Sequence, residues 1–165
     1  MPIPARLIEF LDKNRVRYEI IRHPEAFTAQ ELADLEHVKG RYHAKVVMVN
    51  CDGRQVMTVL PSDHLVDLEK VEKITGKAAS VASEEEFKAL FPDCAVGTMP
   101  PFGHLYGLLT WVDKSLAQDD YIVFEAGTHT DAIKLSYRDY AELEQPTIED
   151  FAVKLHSMKA ASERV

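Results

Sequence analysis

The stretch from Ala44 to Leu60 constrains the fold more than any other part of this 165-residue chain. Two β-rich runs, Ala44 to Asn50 and Gln55 to Leu60, flank Cys51-Asp52-Gly53-Arg54. Asp-Gly between such runs signals a hairpin, because the two-residue turn that matches strand twist requires positive φ. Within the first run, Val46-Val47-Met48-Val49 has no polar interruption. A strand of that kind is covered on both faces, so the hairpin belongs in the middle of a sheet. A hydrophobic content of 46% is enough to supply the covering layers, and a chain of this length is expected to form one domain over residues 1–165.

Other elements follow from spacing and punctuation. Leu7, Ile8 and Leu11 lie at helical intervals in residues 4 to 13, with Pro4 acceptable in the first turn. Tyr18 to His23 reads as a strand stopped by Pro24. Thr28 with Glu31 forms a capping-box pattern for a helix to about Val38, closed by Gly40. Leu65, Leu68, Val71 and Ile74 predict a helix over 65–75 that ends at Gly76. Ser83-Glu84-Glu85-Glu86 opens another, through about Phe91, with acidic residues at the positive helix start. Strands are expected near Leu108–Val112, Tyr121–Phe124 and Ala132–Leu135, and helices over Tyr137–Leu143 and Thr147–Lys159. This interleaving, with hairpins rather than regular βαβ units, indicates an α+β fold around a mixed sheet.

Charge and composition narrow the function. The net charge of −8 argues against broad electrostatic grip on nucleic acid. The distribution is uneven, however. Residues 1–50 carry eight Lys/Arg against seven Asp/Glu, whereas residues 51–165 carry eleven against twenty. Arg15, Arg17, Arg22, Lys39, Arg41 and Lys45 all lie in the first part, either as a side for an RNA end to approach or as scattered solvated charges. No apolar run approaches the ~20 residues of a membrane span, and the start lacks a signal-peptide segment, so a cytoplasmic location is expected, with no membrane partner. Cys51 and Cys94 have neither the spacing of a zinc site nor a nucleophile signature, and read as reduced, buried thiols. The seven histidines show no His-x-x-x-His or His-Glu-x-x-His spacing. No phosphate-loop or dinucleotide fingerprint occurs, and no cofactor or metal is called for.

The candidate site comes from three segments. Cys94-Ala95-Val96-Gly97-Thr98-Met99-Pro100-Pro101-Phe102-Gly103-His104 is a rigid, backbone-rich loop, able to hold a polar ligand by its own N–H and C=O groups. Lys45 opens the central apolar strand. Gly127-Thr128-His129-Thr130-Asp131 makes a second polar turn. Read alone, Lys45 is either a solvated strand-end lysine or a cation for a bound phosphate or carbonyl, the loop either an ordinary surface turn or a source of backbone donors, and His129 either a turn histidine bonded to backbone or one that orients a water or an amino group.

Taken together, these residues resemble the YbaK and prolyl-tRNA-synthetase editing-domain family, whose members hydrolyse wrongly charged aminoacyl-tRNAs. The family's catalytic lysine falls on Lys45 within Gly40-Arg41-Tyr42-His43-Ala44-Lys45-Val46-Val47, and its Gly-x-x-x-Pro loop on Gly97 to Pro101. Pro101-Phe102-Gly103-His104 and Ala126-Gly127-Thr128-His129-Thr130 are similar to the free-standing bacterial members. The resemblance spans roughly residues 15 to 145. It implies a mixed, mostly antiparallel and partly barrel-like sheet with surrounding helices, and a trans-acting deacylase specific for a small amino acid. It also implies catalysis by Lys45, and substrate binding by Gly97, Thr98, Met99, Pro100, Pro101, Gly127, Thr128 and His129. In this reading the Thr98 hydroxyl bonds the substrate, and the substrate's own ribose hydroxyl activates the water. The implied partner is the acceptor end of mischarged tRNA, with room for an aminoacyl-tRNA synthetase as a second, and no DNA. A non-catalytic tRNA- or amino-acid-binding module would use the same pocket but tolerate loss of the lysine.

Overall fold

A computed structural model describes residues 2–25 and 41–155. Helix α1 (Ala5–Lys13) and strand β1 (Tyr18–Arg22) precede the hairpin of β2 (His43–Cys51) and β3 (Arg54–Pro61), and β4 (His64–Val66), α2 (Leu68–Thr75), β5 (Ala79–Val81) and α3 (Glu84–Phe87) follow. Beyond the Gly/Pro loop come β6 (Leu109–Asp113), β7 (Tyr121–Glu125), β8 (Asp131–Ser136), α4 (Tyr137–Glu144), β9 (Thr147–Glu149) and β10 (Ala152–Lys154). The helix expected from Thr28 to Val38 lies outside the described residues.

The fold is α+β around a mixed, mostly antiparallel sheet, in the order β1-β8-β7-β2-β3-β6-β9, with β5 added beside β2. It stays open, ending at β1 and β9 rather than closing into a barrel. The hairpin turns where the sequence indicates: Asp52 and Gly53 both have positive φ, 53° and 74°, the pair a type I′ turn requires. Alternation along β2 sends Ala44 and Met48 to one core, with Met57, Val59, Phe102 and Phe124, and Val49 and Cys51 to another, with Val56, Leu60, Val71 and Phe151. Both faces of the strand are thus covered. On the edge of β2 away from β3, β7 pairs only with His43 and Ala44, and β5 only with Val49 to Cys51. Among the described residues, no strand lies beside Lys45 to Met48 on that edge.

Three expected elements differ. The helix predicted over 65–75 starts at Leu68, because Leu65 pairs with Val153 in the β4–β10 ladder and Asp67 caps the helix by accepting from Glu69 N–H. The helix from Ser83 keeps its capping box with Glu86 but tightens after Phe87 into a 3₁₀ turn, Lys88–Leu90. Up to Lys154, the helix expected over Thr147–Lys159 is two strands, and residues 156–159 lie outside the described residues. Here tertiary pairing overrides local signals: β9 lies parallel to β6, and the buried Asp113 carboxylate accepts the N–H groups of Phe151 and Ala152 at 2.9 and 3.0 Å.

Asp113→Ala should leave both N–H groups buried without an acceptor and lower stability by about 2–4 kcal/mol. Denaturant unfolding measures the loss, and amide exchange should locate it at residues 147–154.

Candidate active site

Among the described residues, Lys45 stands where β2 has no second strand beside it. It pairs with Leu60 of β3, and the β2–β7 register of Ala44 with Phe124 brings Glu125 level with it, at the point where β7 runs into its following turn. Alternation puts His43 on the same face of β2 as Lys45. The lysine is half-buried.

The Gly/Pro loop reaches this point through its backbone. Thr98 N–H donates to Ala95 C=O at 3.1 Å, closing a turn with Gly97 at φ 84°, the position a type II turn gives to glycine. That turn is clamped to the turn after β7 by two hydrogen bonds, Ala95 N–H to Gly127 C=O and Gly127 N–H to Thr98 C=O, both 2.9 Å. Gly127 must be glycine, since its φ is 85° and a Cβ would stand 2.4 Å from the Pro4 ring. Downstream, Tyr140 Oη donates to Pro101 C=O at 2.7 Å, Thr110 Oγ1 accepts Gly103 N–H, and the buried Glu144 carboxylate meets His104 N–H, His104 Nδ1 and Thr110 Oγ1.

The structure therefore brings all three expected segments to one end of the sheet, but sorts their residues. Thr98 is 1% exposed and its hydroxyl donates to Ala95 C=O at 2.6 Å, so it shapes the loop where the sequence reading had it bonding substrate. Met99, Pro100 and Pro101 are buried beneath the loop. The buried Thr128 hydroxyl donates to Asp131 at 2.7 Å and accepts Thr130 N–H. Gly97 is exposed and His129 half-buried. Beside Gly97, Val96 is an exposed apolar residue that sequence reasoning did not single out.

The aminoacyl-tRNA editing domain family matches residues 23–143. The chain belongs to that family. It is 26% identical over 152 residues to the Multifunctional Ser/Thr-tRNA deacylase ProXp-y of Escherichia coli (strain K12), covering 88% of this chain and 90% of that one. It is 25% identical over 150 residues to the Prolyl-tRNA editing protein ProX of Acetoanaerobium sticklandii, covering 87% and 91%. A solved structure described as a candidate trans-editing enzyme for prolyl-tRNA synthetase shares the fold, with a TM-score of 0.80 at 19% identity, covering 93% and 98%.

In this editing domain a group of buried polar side chains flanks the lysine that no sequence motif announces. His23 Nε2 lies 3.4 Å from Glu125 Oε1, and His23 Nδ1 is 2.7 Å from Pro24 C=O. His43 is 1% exposed, and burial first, then the neighbouring His23, lowers its pKa to about 4. Neither histidine has a regular spacing to other ligands, so only the sheet register reveals them. Cys94 is no nucleophile here: burial pushes its thiol up to about 11, and it packs 3.3 Å from Tyr106 Oη. Among the described residues, no group of three or more His, Cys, Asp or Glu could hold a metal ion.

The depressed His43 pKa makes the editing domain acid-sensitive. Between about 4 and its ordinary 6.5 the unfolded chain takes up a proton that the folded chain refuses. Stability is therefore full above that window and is lost as pH falls through it, by roughly 3 kcal/mol. Unfolding free energies across the window should fall less steeply for His43→Leu than for the natural chain; equal slopes would reject this account.

Proposed function

We propose that this editing domain acts in trans to hydrolyse the ester between a small amino acid and the 3′-terminal adenosine of mischarged tRNA. The observation that carries the reading is the meeting of Lys45, the Gly97 turn and the Gly127–Asp131 turn at one end of the sheet, in a chain whose family is that of aminoacyl-tRNA editing domains. The names of the bacterial relatives support it.

An ester already activated by the ribose oxygen needs positioning and oxyanion stabilisation more than a strong protein nucleophile. Lys45 supplies the cation, neutralising the terminal phosphate or polarising the carbonyl. The exposed Gly97 turn brings main chain against the aminoacyl group, where any side chain would keep it away. Met99, Pro100, Pro101, Thr98, Gly127 and Thr128 act from behind, fixing that turn. Water adds to the carbonyl carbon, its proton passes to the vicinal ribose hydroxyl, and the ester oxygen leaves on the ribose with a proton. His129, an imidazole able to donate and accept, orients the amino group or the water.

Among small amino acids, serine and threonine are the first substrates to try, following the E. coli relative's name. Val96 and the turn around it would form the apolar wall against the side chain. Among the described residues no helix is long and apolar enough to cross a membrane, in keeping with a substrate met in solution.

Single-turnover hydrolysis of seryl-, threonyl- and alanyl-tRNA measures the activity. Lys45→Ala should slow the favoured substrate by about 100-fold or more while leaving a cooperative thermal melt. Full activity in the folded variant would remove Lys45 from catalysis, and no hydrolysis by the natural chain would leave a binding module.

A further inference from the structure

A four-membered stack on the surface has no part in the chemistry above. Arg41 places its guanidinium 4.6 Å from the centre of the Tyr42 ring, Tyr42 stacks on Tyr121 at 4.7 Å and 10°, and Lys134 sets its ammonium 4.4 Å from the Tyr121 ring. Two cations thus cap the two ends of one aromatic pair. We propose that this stack grips the phosphates of the tRNA acceptor strand just behind its terminal nucleotide; the proposal rests on the deacylase reading.

The rings hold the cations without neutralising them. A carboxylate partner weakens the field a phosphate needs, whereas an aromatic face leaves the charge intact. Arg41 also reaches the buried Asp119 at 3.3 Å, but through one nitrogen, and its side chain remains 57% exposed. The three spacings put the two charges at most about 14 Å apart, a distance that phosphates along one strand can bridge.

The stack is also correctly placed. Tyr121 and Glu125 project from the same face of β7, about 13 Å apart along the strand, and Glu125 is level with Lys45. Lys134 pairs across to Val123, between those two rows. A strand whose last nucleotide delivers its ester to Lys45 would pass over the stack with the nucleotides before it. Arg17 lines the same groove as Tyr121 and Lys134 and adds a third cation, while Glu19 and Asp139, also in that groove, limit how far the RNA runs. In a chain of net charge −8, a compact set of cations is what allows any hold on RNA.

The test uses the full chain and a fluorescent acceptor-stem RNA hairpin ending in unpaired CCA, with affinity measured by anisotropy across a salt series. Arg41→Gln and Lys134→Gln should each weaken binding several-fold and reduce the slope of log affinity against log salt by about 1. Among the described residues Lys134 has no ion pair with a buried carboxylate, so Lys134→Gln guards against an effect of Arg41 transmitted through Asp119. Unchanged affinity and slope in the folded double variant would overturn the proposal. Deacylation by the same preparations separates the two claims. Hydrolysis without any change in RNA binding by the double variant sinks the surface alone, and salt-dependent, stack-dependent binding without hydrolysis sinks the deacylase reading alone.

Discussion

Two backbone hydrogen bonds, Ala95 N–H to Gly127 C=O and Gly127 N–H to Thr98 C=O, hold the candidate site together. They join loops about thirty residues apart in sequence, and they exist because Gly127 can take φ 85° and leave its Cβ position to the Pro4 ring. A side chain there would push the N-terminal segment away. It would also separate the Gly97 turn from the end of β7. The remainder of the loop is fixed from below, by Tyr140 on Pro101 and by Glu144 on His104 and Thr110. A catalytic surface made of main chain has no rotamers to choose, so its precision comes from this scaffold.

The sheet contributes the other half of the site. β7 leaves β2 after Ala44 and β5 joins it only at Val49, so Lys45 sits where the ladder opens. A position early in a central strand, paired to β3, gives a lysine a rigid backbone. Behind it, His43 is kept neutral by burial, so the cation at this end of β2 belongs to Lys45 rather than to the adjacent histidine.

Much of this was legible in the sequence where local signals and tertiary needs agree. Asp52-Gly53 announced the hairpin, Gly76 the end of α2, and Ser83 with Glu86 a helix start, because each acts through its own backbone. The strands β6, β7 and β8 were legible from their apolar runs. The C-terminal strands were not, because Thr147 offers a helix cap and the decisive partner, Asp113, lies more than thirty residues away. At the candidate site, the residue types pointed to segments that the fold brings close together, but not to which side chains close their own turns. The Thr98 hydroxyl was read as bonding substrate and Thr128 as a substrate-binding residue, yet both hydroxyls close their own turns. His23, His43 and Glu125 carry no motif and meet only through strand register.

The central claim is that the aminoacyl group lies between Lys45 and the Gly97 turn. Backbone NMR on the labelled chain, titrated with a non-hydrolysable amide analogue of 3′-seryladenosine, tests it most directly. The account predicts that the largest shift changes fall on Gly97 and its neighbours, on Gly127–Thr130 and on Lys45. Saturable changes confined to the far end of the hairpin, around Asp52–Gly53 and β5, would contradict it.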